Sequence, residues 1–525
     1  MLIVGAGPTG LAAANLLGLY GIETLVVECD AQTSTIPKGI YIDDEFFRTL
    51  DGVGLATQVY ENCVPAAGVT YYSRLGFRIA AIKGQITANG YGNRSAIWQP
   101  EFEQVLAKGI ERWDSASVRF ERTLVDLTEG DGKVTAGVVD PDGMRHEIVA
   151  DYVLGCDGGR STVRKLLDMP MEGQSYEQPW AVIDMLDDTD QSPFSKYFVH
   201  PQRPTDSIPA PRCGRRFEFM LLPGEDPDTI LEDDSLRRLF APYRDFDDVK
   251  VFRKAVYTFH ALLVRDMRVG RTFLLGDAAH LMPPFGASGM NSGSRDATNL
   301  CWKIAAVLRG HATPDILDTY DLERRGHCQA VIDISVTLGR IVNLTTTWLA
   351  YLRDLAFWVL SRAPVTGAYI TGMRYIPRAV LRDGFLLPSG GRPGRSFVGH
   401  MLSQPLVRTP GGDDVLLDTV LGPGFALVGL DCPAADLQAV VRTGLWHRLS
   451  VQAVSVASDA SDANGHAVVL RDSRFVETLR QHRGDVLLVR PDRYIAAAVR
   501  PEGLSRLEVE LQRLMAGTGD GPTSS

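Results

Sequence analysis

The sequence predicts an α/β fold: a Rossmann-like dinucleotide-binding domain with an inserted β-sheet, a helical connector and a separate C-terminal α/β unit. Three observations predict it. An apolar strand, a glycine turn and a helix follow one another at the start of the chain, with Gly5-Ala6-Gly7-Pro8-Thr9-Gly10 as the turn. Strand, acidic-glycine turn and helix return at Cys156-Asp157-Gly158-Gly159-Arg160, and a carboxylate just past a strand returns at Leu275-Gly276-Asp277-Ala278-Ala279-His280. The 525 residues exceed what one hydrophobic core organises, so two or three domains are expected.

Residues 1–4 read as the first strand, 11–20 as an apolar helix stopped by Gly21, and 24–27 as the second strand. Gly5 permits the tight turn, and Gly7 lets the backbone approach a pyrophosphate. Gly10 lets the helix lie close to the strand, so that the helix N-terminus, entered through Pro8 and Thr9, faces the phosphates. Glu28 ends the second strand where such folds place a carboxylate for a ribose hydroxyl, and its charge argues against a 2′-phosphate. The second turn, with Asp157 and Gly158, lies between a strand at 152–156 and a helix from about Ser161. In the third, Gly276 and Asp277 follow a strand at 272–275, and the carboxylate is placed to accept a ribityl hydroxyl. Together the three segments spell a site for FAD. From Pro283 the chain runs through Pro284, Phe285, Gly286 and Gly289 to Met290 and Asn291, where a helix begins that ends at Gly310. Its first amides would stabilise negative charge on the N1–C2=O edge of a reduced isoalloxazine.

The expected division is 1–179 and 265–330 for the two parts of the FAD domain and 180–264 for a β-rich substrate cap. A helical connector at 331–391, a C-terminal unit at 392–517 and a disordered tail at 518–525 complete it. The apolar stretch 331–359 is interrupted by Asp333, Arg340, Arg353 and Asp354, which reads as a pair of amphipathic helices and not a membrane span. No signal peptide is expected, since no basic leader precedes the first strand. The net charge of −10, with no long Lys/Arg run, excludes a nucleic-acid partner. Seven scattered cysteines without a C-x-x-C suit reduced thiols and a cytoplasmic location. The ten histidines show no metal-ligand spacing, so no metal is expected, and His280 reads as a structural hydrogen-bonding residue.

With these residues in view, the chain resembles the class A flavoprotein monooxygenases, the single-component aromatic hydroxylases, and most of all the 3-(3-hydroxyphenyl)propionate hydroxylases. The resemblance runs along nearly the whole chain. It rests on the three turns and on Ile42-Asp43-Asp44-Glu45, Arg216-Phe217-Glu218-Phe219-Met220-Leu221-Leu222-Pro223-Gly224-Glu225, Gly289-Met290-Asn291-Ser292-Gly293 with Arg295-Asp296-Ala297, and Leu421-Gly422-Pro423-Gly424-Phe425-Ala426-Leu427. It implies a p-hydroxybenzoate hydroxylase-like FAD domain with its inserted cap, and a thioredoxin-like C-terminal domain. That domain would be redox-silent, because Cys432 stands alone. The resemblance also implies that the Asp157-Gly158 segment serves both FAD and a transient NADH or NADPH, that Gln99 contacts the cofactor, and that the Pro284 carbonyl faces the substrate side of the flavin. Lys38 stands where these hydroxylases usually carry an arginine, which puts the flavin-gating role of that position in doubt. The loop 285–289 departs from theirs only in small residues.

The activity so implied is hydroxylation of a phenolic aromatic small molecule with NAD(P)H and O₂ through a flavin C4a-hydroperoxide. The protein's task is to hold the ring, favour the phenolate and exclude water. The substrate class stays open between a phenolic acid and a larger biosynthetic aromatic, and a homodimer stays possible. No catalytic base can be named among Tyr71, Tyr72, Tyr91, Tyr197, His200, Arg215 and Tyr257. The halogenase motif W-x-W-x-I-P is absent, as is the Baeyer–Villiger signature. A non-catalytic flavin protein that binds an aromatic intermediate or a partner is the rival from another class, and Lys38 and the lone Cys432 are its support.

Overall fold

The computed structural model describes residues 1–176, 178–286, 289–387, 397–458, 467–472 and 482–517. The expected tail at 518–525 and the boundary near 392 lie outside the described residues. The central sheet of the first domain has the order Arg268–Val269, Thr272–Leu274, Val153–Gly155, Leu2–Val4, Thr24–Val27, Ala116–Arg119. All neighbours are parallel except the first pair. Leu2, Ile3, Val26, Leu154, Phe273 and Leu274 are fully buried in it, as expected of strands covered on both faces. Because the strands ending at Val4, Gly155 and Leu274 are adjacent and parallel, the three turns that follow them emerge side by side. Helix Pro8–Leu19 packs on helices Gln99–Ile110 and Gly289–Leu308.

The cap is a seven-stranded sheet in the order Lys250–Tyr257, Trp180–Leu186, Gly214–Met220, Thr205–Ala210, Phe194–Phe198, Gly68–Tyr72, Arg78–Ile82. Its last two strands precede the expected start at 180, because Gly68–Tyr72 pairs in parallel with Phe194–Phe198, a pairing that local pattern cannot reveal. Two sheets were not foreseen as units. Strands Thr123–Gly130, Lys133–Val139 and Arg145–Ala150 form an antiparallel sheet. Strands Met171–Ser175, His260–Val264 and His280–Leu281 form another beneath the cap.

Strict alternation divides the cap's two faces. Ala181, Ile183, Phe217, Phe219 and Leu221 pack with Leu236 and Phe240 of helix Asp233–Phe240. The opposite face carries Trp180, Asp184, Arg216, Glu218, Met220, Asp206, Tyr197 and Tyr71; Trp180 and Met220 meet Phe285, Arg216 reaches the Lys38 carbonyl, and Tyr71 meets Phe357.

Helices Thr319–Val342, Thr347–Arg362 and Pro364–Thr371 follow. The C-terminal unit is a seven-stranded mixed sheet in which Ala426–Leu430, Gln452–Ala457 and Val468–Leu470 are parallel neighbours. Buried ion pairs tie it to the rest: Arg490–Glu323 at 2.7 Å and Arg48–Asp418 at 2.7 Å. Among the described residues no helix is long and apolar enough to cross a membrane.

Candidate active site

The three turns interlock through missing side chains. Gly5 has φ +105°, and a Cβ there would stand 2.5 Å from the Cys156 carbonyl oxygen, so the first turn lies against the second. A Cβ on Gly10 would overlap the Gly5 carbonyl. Thr9 wedges into the third turn, where a Cβ on Gly276 would come within 2.6 Å of its hydroxyl and one on Gly293 would overlap it. Arg164 ties the second turn to the third by donating to the carbonyls of Gly159 (2.7 Å) and Ala278 (2.9 Å).

Gly7 and Gly158, by contrast, have nothing within 4 Å of where a Cβ would be. Helix Pro8–Leu19 begins at Gly7 with no side chain capping its first amides. Open space over two glycines beside uncapped amides is what a pyrophosphate requires, so these residues fit FAD. Glu28 faces the same turn, where its Oε2 accepts the Ala6 N–H at 2.7 Å. Asp277 is open to this space yet enclosed by protein. Burial pushes its carboxyl up, opposed by the charges of His280 and Lys38.

Other expected residues hold the frame. Both Asp157 oxygens are taken by helix Thr162–Leu166: Ser161 Oγ donates to one at 2.6 Å, and the N–H groups of Thr162 (2.6 Å) and Val163 (3.0 Å) donate to the other. Gln99 is buried, and its Oε1 accepts the Lys38 N–H at 2.9 Å and the Gly39 N–H. The Lys38 side chain is exposed. From the cap, Arg216 donates to the carbonyls of Lys38 (3.0 Å) and Pro37 while paired with Asp184 at 2.6 Å, and Arg253 reaches the Pro37 carbonyl at 3.0 Å. Loop 37–39 is thus clamped from two sides by its backbone. Arg216 lies in a stretch that carried the family resemblance but no assigned role, and Arg253 had no local signal.

Asn291, in the first turn of helix Gly289–Leu308, accepts the Asp43 N–H at 3.0 Å. Met290 lies against Gly39, and Gly289 faces Asp277. The acidic stretch 43–45 proves structural. Asp43 caps helix Asp44–Gly52 and, with Glu45, binds Arg295. His280 is fully buried and pairs with Asp296 at 2.7 Å, which also accepts from Gly276 N–H and Arg324. Cys328 completes a set of metal-type ligand atoms within 4.8 Å, but the Arg324 guanidinium bonded to the same carboxylate sets a fixed cation beside it.

Near Pro284, Phe285 packs edge-on against Trp180 with centroids 5.9 Å apart, and Met220 joins them in one apolar cluster. Gly286, at φ +122°, follows. Of the candidate bases, Tyr71, Tyr197 and Tyr257 share the sheet face of Trp180; Tyr71 stacks on Tyr197 with centroids 5.3 Å apart and packs edge-on against Phe357 of helix Thr347–Arg362. Arg215 points to the other side of the cap sheet and donates to the carbonyls of Asp190 and Ser192. Tyr72 stacks on Phe198, Tyr91 stacks on Phe47, and His200 bonds the Ser73 carbonyl.

Comparison with known proteins agrees with this geometry. Residues 1–335 match the FAD binding domain family, and 399–514 match the HcaD C-terminal domain family. The chain is 35% identical over 524 residues to a 3-(3-hydroxy-phenyl)propionate/3-hydroxycinnamic acid hydroxylase of Escherichia coli K12, covering 98% of this chain and 94% of that one. The enzyme of the same name from Klebsiella pneumoniae is 36% identical over 528 residues, covering 99% and 95%. Among solved structures, the flavin-dependent monooxygenase PieE in complex with FAD and substrate superposes with a TM-score of 0.82 at 20% identity, covering 98% of each chain. OxyS anhydrotetracycline hydroxylase from Streptomyces rimosus gives 0.73 at 25%, covering 98% of this chain and 99% of that one.

Proposed function

This chain belongs to the FAD-dependent aromatic hydroxylases, and from that premise we propose that its substrate is a phenolic acid, hydroxylated between the three turns and the inner face of the cap sheet. FAD is its cofactor, with NADH or NADPH and O₂ as co-substrates. One observation carries the proposal: the wall opposite the turns combines the apolar cluster of Trp180, Met220 and Phe285 with a charged and phenolic row on the same sheet face. A larger apolar aromatic would find the second half of that wall hostile. The hydroxylases of the two enterobacteria named above, matched along nearly the full chain, are named for an acid.

Bound FAD supplies oxygen activation and transfer. The pyrophosphate is assigned to Gly5, Gly7, Gly10 and the Pro8–Thr9 amide turn, a ribose hydroxyl to Glu28, and a ribityl hydroxyl to Asp277 beside Gly276. The amides of Met290 and Asn291, after Gly289, serve the pyrimidine edge, and the Pro284 carbonyl and Gly286 border the ring. Gln99 positions the loop that carries Lys38, and Asp157 positions the turn that carries Gly158. The apolar cluster keeps water from the reacting ring.

Within the same proposal the division at 264/265, 330/331 and about 392 stands as a functional one, while the cap of 180–264 also takes in strands Gly68–Tyr72 and Arg78–Ile82. The C-terminal unit is thioredoxin-like, and its three parallel strands flanked by antiparallel Val486–Val489 support that reading. All seven cysteines are free, which supports a cytoplasmic enzyme. A homodimer forms through helix Thr347–Arg362, whose apolar stripe is exposed among the described residues.

The test is NAD(P)H oxidation by the purified yellow enzyme with a panel of phenols, with products identified by mass. Slow oxidation alone, strong stimulation by phenolic acids and a product heavier by one oxygen are expected. Stimulation by large neutral aromatics only would overturn the substrate class.

A further inference from the structure

Buried cations in this protein have acceptors. Arg48, Arg216, Arg324 and Arg490 each pair with a carboxylate at 2.6–2.8 Å. Arg94 does not. It is 7% exposed, makes no ion pair within 4.0 Å among the described residues, and its Nε is buried without a hydrogen-bond partner. Its guanidinium lies 4.0 Å over the ring of Tyr41, whose hydroxyl shares a hydrogen bond of 2.5 Å with Ser195 Oγ. A cation–π contact offsets only a part of what burying a lone guanidinium costs.

The position is informative. Glu218, Asp206, Tyr197 and Tyr71 are successive partners across four strands on the inner face of the cap sheet. At about 4.8 Å per strand, Tyr197 is roughly 10 Å along the sheet from the strand of Glu218 and Met220, at whose end the Phe285 cluster marks the flavin side. Tyr41, Tyr197, Tyr71 and Tyr375 lie about Arg94, and Asp206 is near. One Asp206 oxygen is buried and unpartnered as well. Asp206 makes no ion pair with Arg94 within 4.0 Å, so it does not serve as the missing counter-ion; burial and the neighbouring Glu218 push its carboxyl up.

We propose that Arg94 is the anion-binding end of the substrate site, and that it receives the carboxylate of an aryl-alkanoic acid whose phenolic ring rests against the Trp180–Met220–Phe285 cluster. A phenol with a three-carbon acid arm spans roughly 8 Å from ring edge to carboxyl, which suits the separation between the two ends. Arg suits the task, since its planar fork matches a carboxylate. The inference deepens the hydroxylase reading and rests on it.

The test combines binding and turnover in the FAD-loaded enzyme. Calorimetry measures binding of 3-phenylpropionate, 3-(3-hydroxyphenyl)propionate and neutral 3-propylphenol to wild type, Arg94→Gln and Arg94→Lys, with FAD content and melting temperature as checks on folding. Both acids are expected to bind wild type, to lose about 30-fold or more in Arg94→Gln, and to recover in part in Arg94→Lys, while 3-propylphenol changes less than threefold. KM for 3-(3-hydroxyphenyl)propionate rises in step with the loss of binding. Equal acid binding in wild type and Arg94→Gln, with turnover intact, overturns the role of Arg94 and leaves the hydroxylase reading standing. Charge-dependent acid binding without any oxygenated product supports Arg94 and sinks the phenolic-acid hydroxylase reading instead. If Arg94→Gln does not fold, failure of wild type to favour 3-(3-hydroxyphenyl)propionate over 3-propylphenol overturns the proposal by itself.

Discussion

Asp44 shows how one residue sets a pH dependence. Its Oδ2 accepts from Thr87 (2.6 Å) and Asn89 (2.8 Å), yet burial, followed by the charges of Asp43 and Glu45, pushes its carboxyl up to about 7. The unfolded chain releases this proton near pH 4. Between pH 4 and 7 the folded state therefore holds a proton that the unfolded state has lost, and stability falls as pH rises through that window. Asp44→Asn should be more stable than wild type at pH 8, by up to about 4 kcal/mol, and equal to it near pH 4. Denaturation at both pH values checks this, and equal stability at pH 8 refutes it. Asp277 lends itself to a simpler measurement. Asp277→Ala should retain about tenfold less FAD after gel filtration at unchanged folding, and full occupancy would release Asp277 from the ribityl role. Asp277 was legible because a carboxylate one step past a strand has a fixed place in an α/β fold. Arg94 and Arg216 were not, since their surroundings are gathered from separate segments of the chain, Tyr41, Tyr71 and Tyr197 for the first and Pro37, Lys38 and Asp184 for the second.

Among the elements, helix Thr347–Arg362 is the one whose pattern and surroundings disagree. Its apolar residues repeat at helical spacing, but Trp348 is 63%, Leu352 54% and Leu355 60% exposed, and only Ala350 is buried. Tyr351 and Val359, with Val365 of the next helix, extend this exposed apolar stripe. The double variant Trp348→Arg, Leu355→Arg should sediment as a monomer with its FAD content and turnover retained. A monomeric wild type, or a dimer that survives the double variant, would remove this helix as the interface. Its amphipathic character was legible in the sequence, whereas its exposure was not, because periodicity shows that a face is apolar and never what covers it.

Across the whole molecule, one buried cluster joins the C-terminal unit to the FAD domain. Glu323 accepts from Lys303 at 2.8 Å and Arg490 at 2.7 Å, with all three side chains sealed from water. Burial alone would raise the Glu323 carboxyl, but the two cations outweigh it and hold the group far below the carboxylate range. Its contribution is full above about pH 4 and fades only as acid drives the pH below the usual carboxylate range. Glu323→Gln should cost about 3–5 kcal/mol, lower the melting temperature of the entire chain in one transition, and narrow the difference from wild type in strong acid. Two separate transitions in wild type would contradict coupling through this cluster. In contrast, Cys432→Ser should leave turnover unchanged, because among the described residues its thiol donates to the carbonyls of Leu430 and Asp485 and has no cysteine partner.

The sequence by itself determined the Rossmann-like start, the three turns, the FAD requirement and the hydroxylase family, since each rests on residues adjacent in the chain whose backbone demands are local. Strands 24–27 and 486–489 were read to the residue for the same reason. Only the tertiary structure decided that strands 68–72 and 78–82 complete the cap sheet, that Gln99 and Arg216 clamp loop 37–39, and that Arg94 has no carboxylate partner among the described residues. Those outcomes depend on which distant strands pair and in what register. Contacts across hundreds of residues leave no periodic trace in either partner alone.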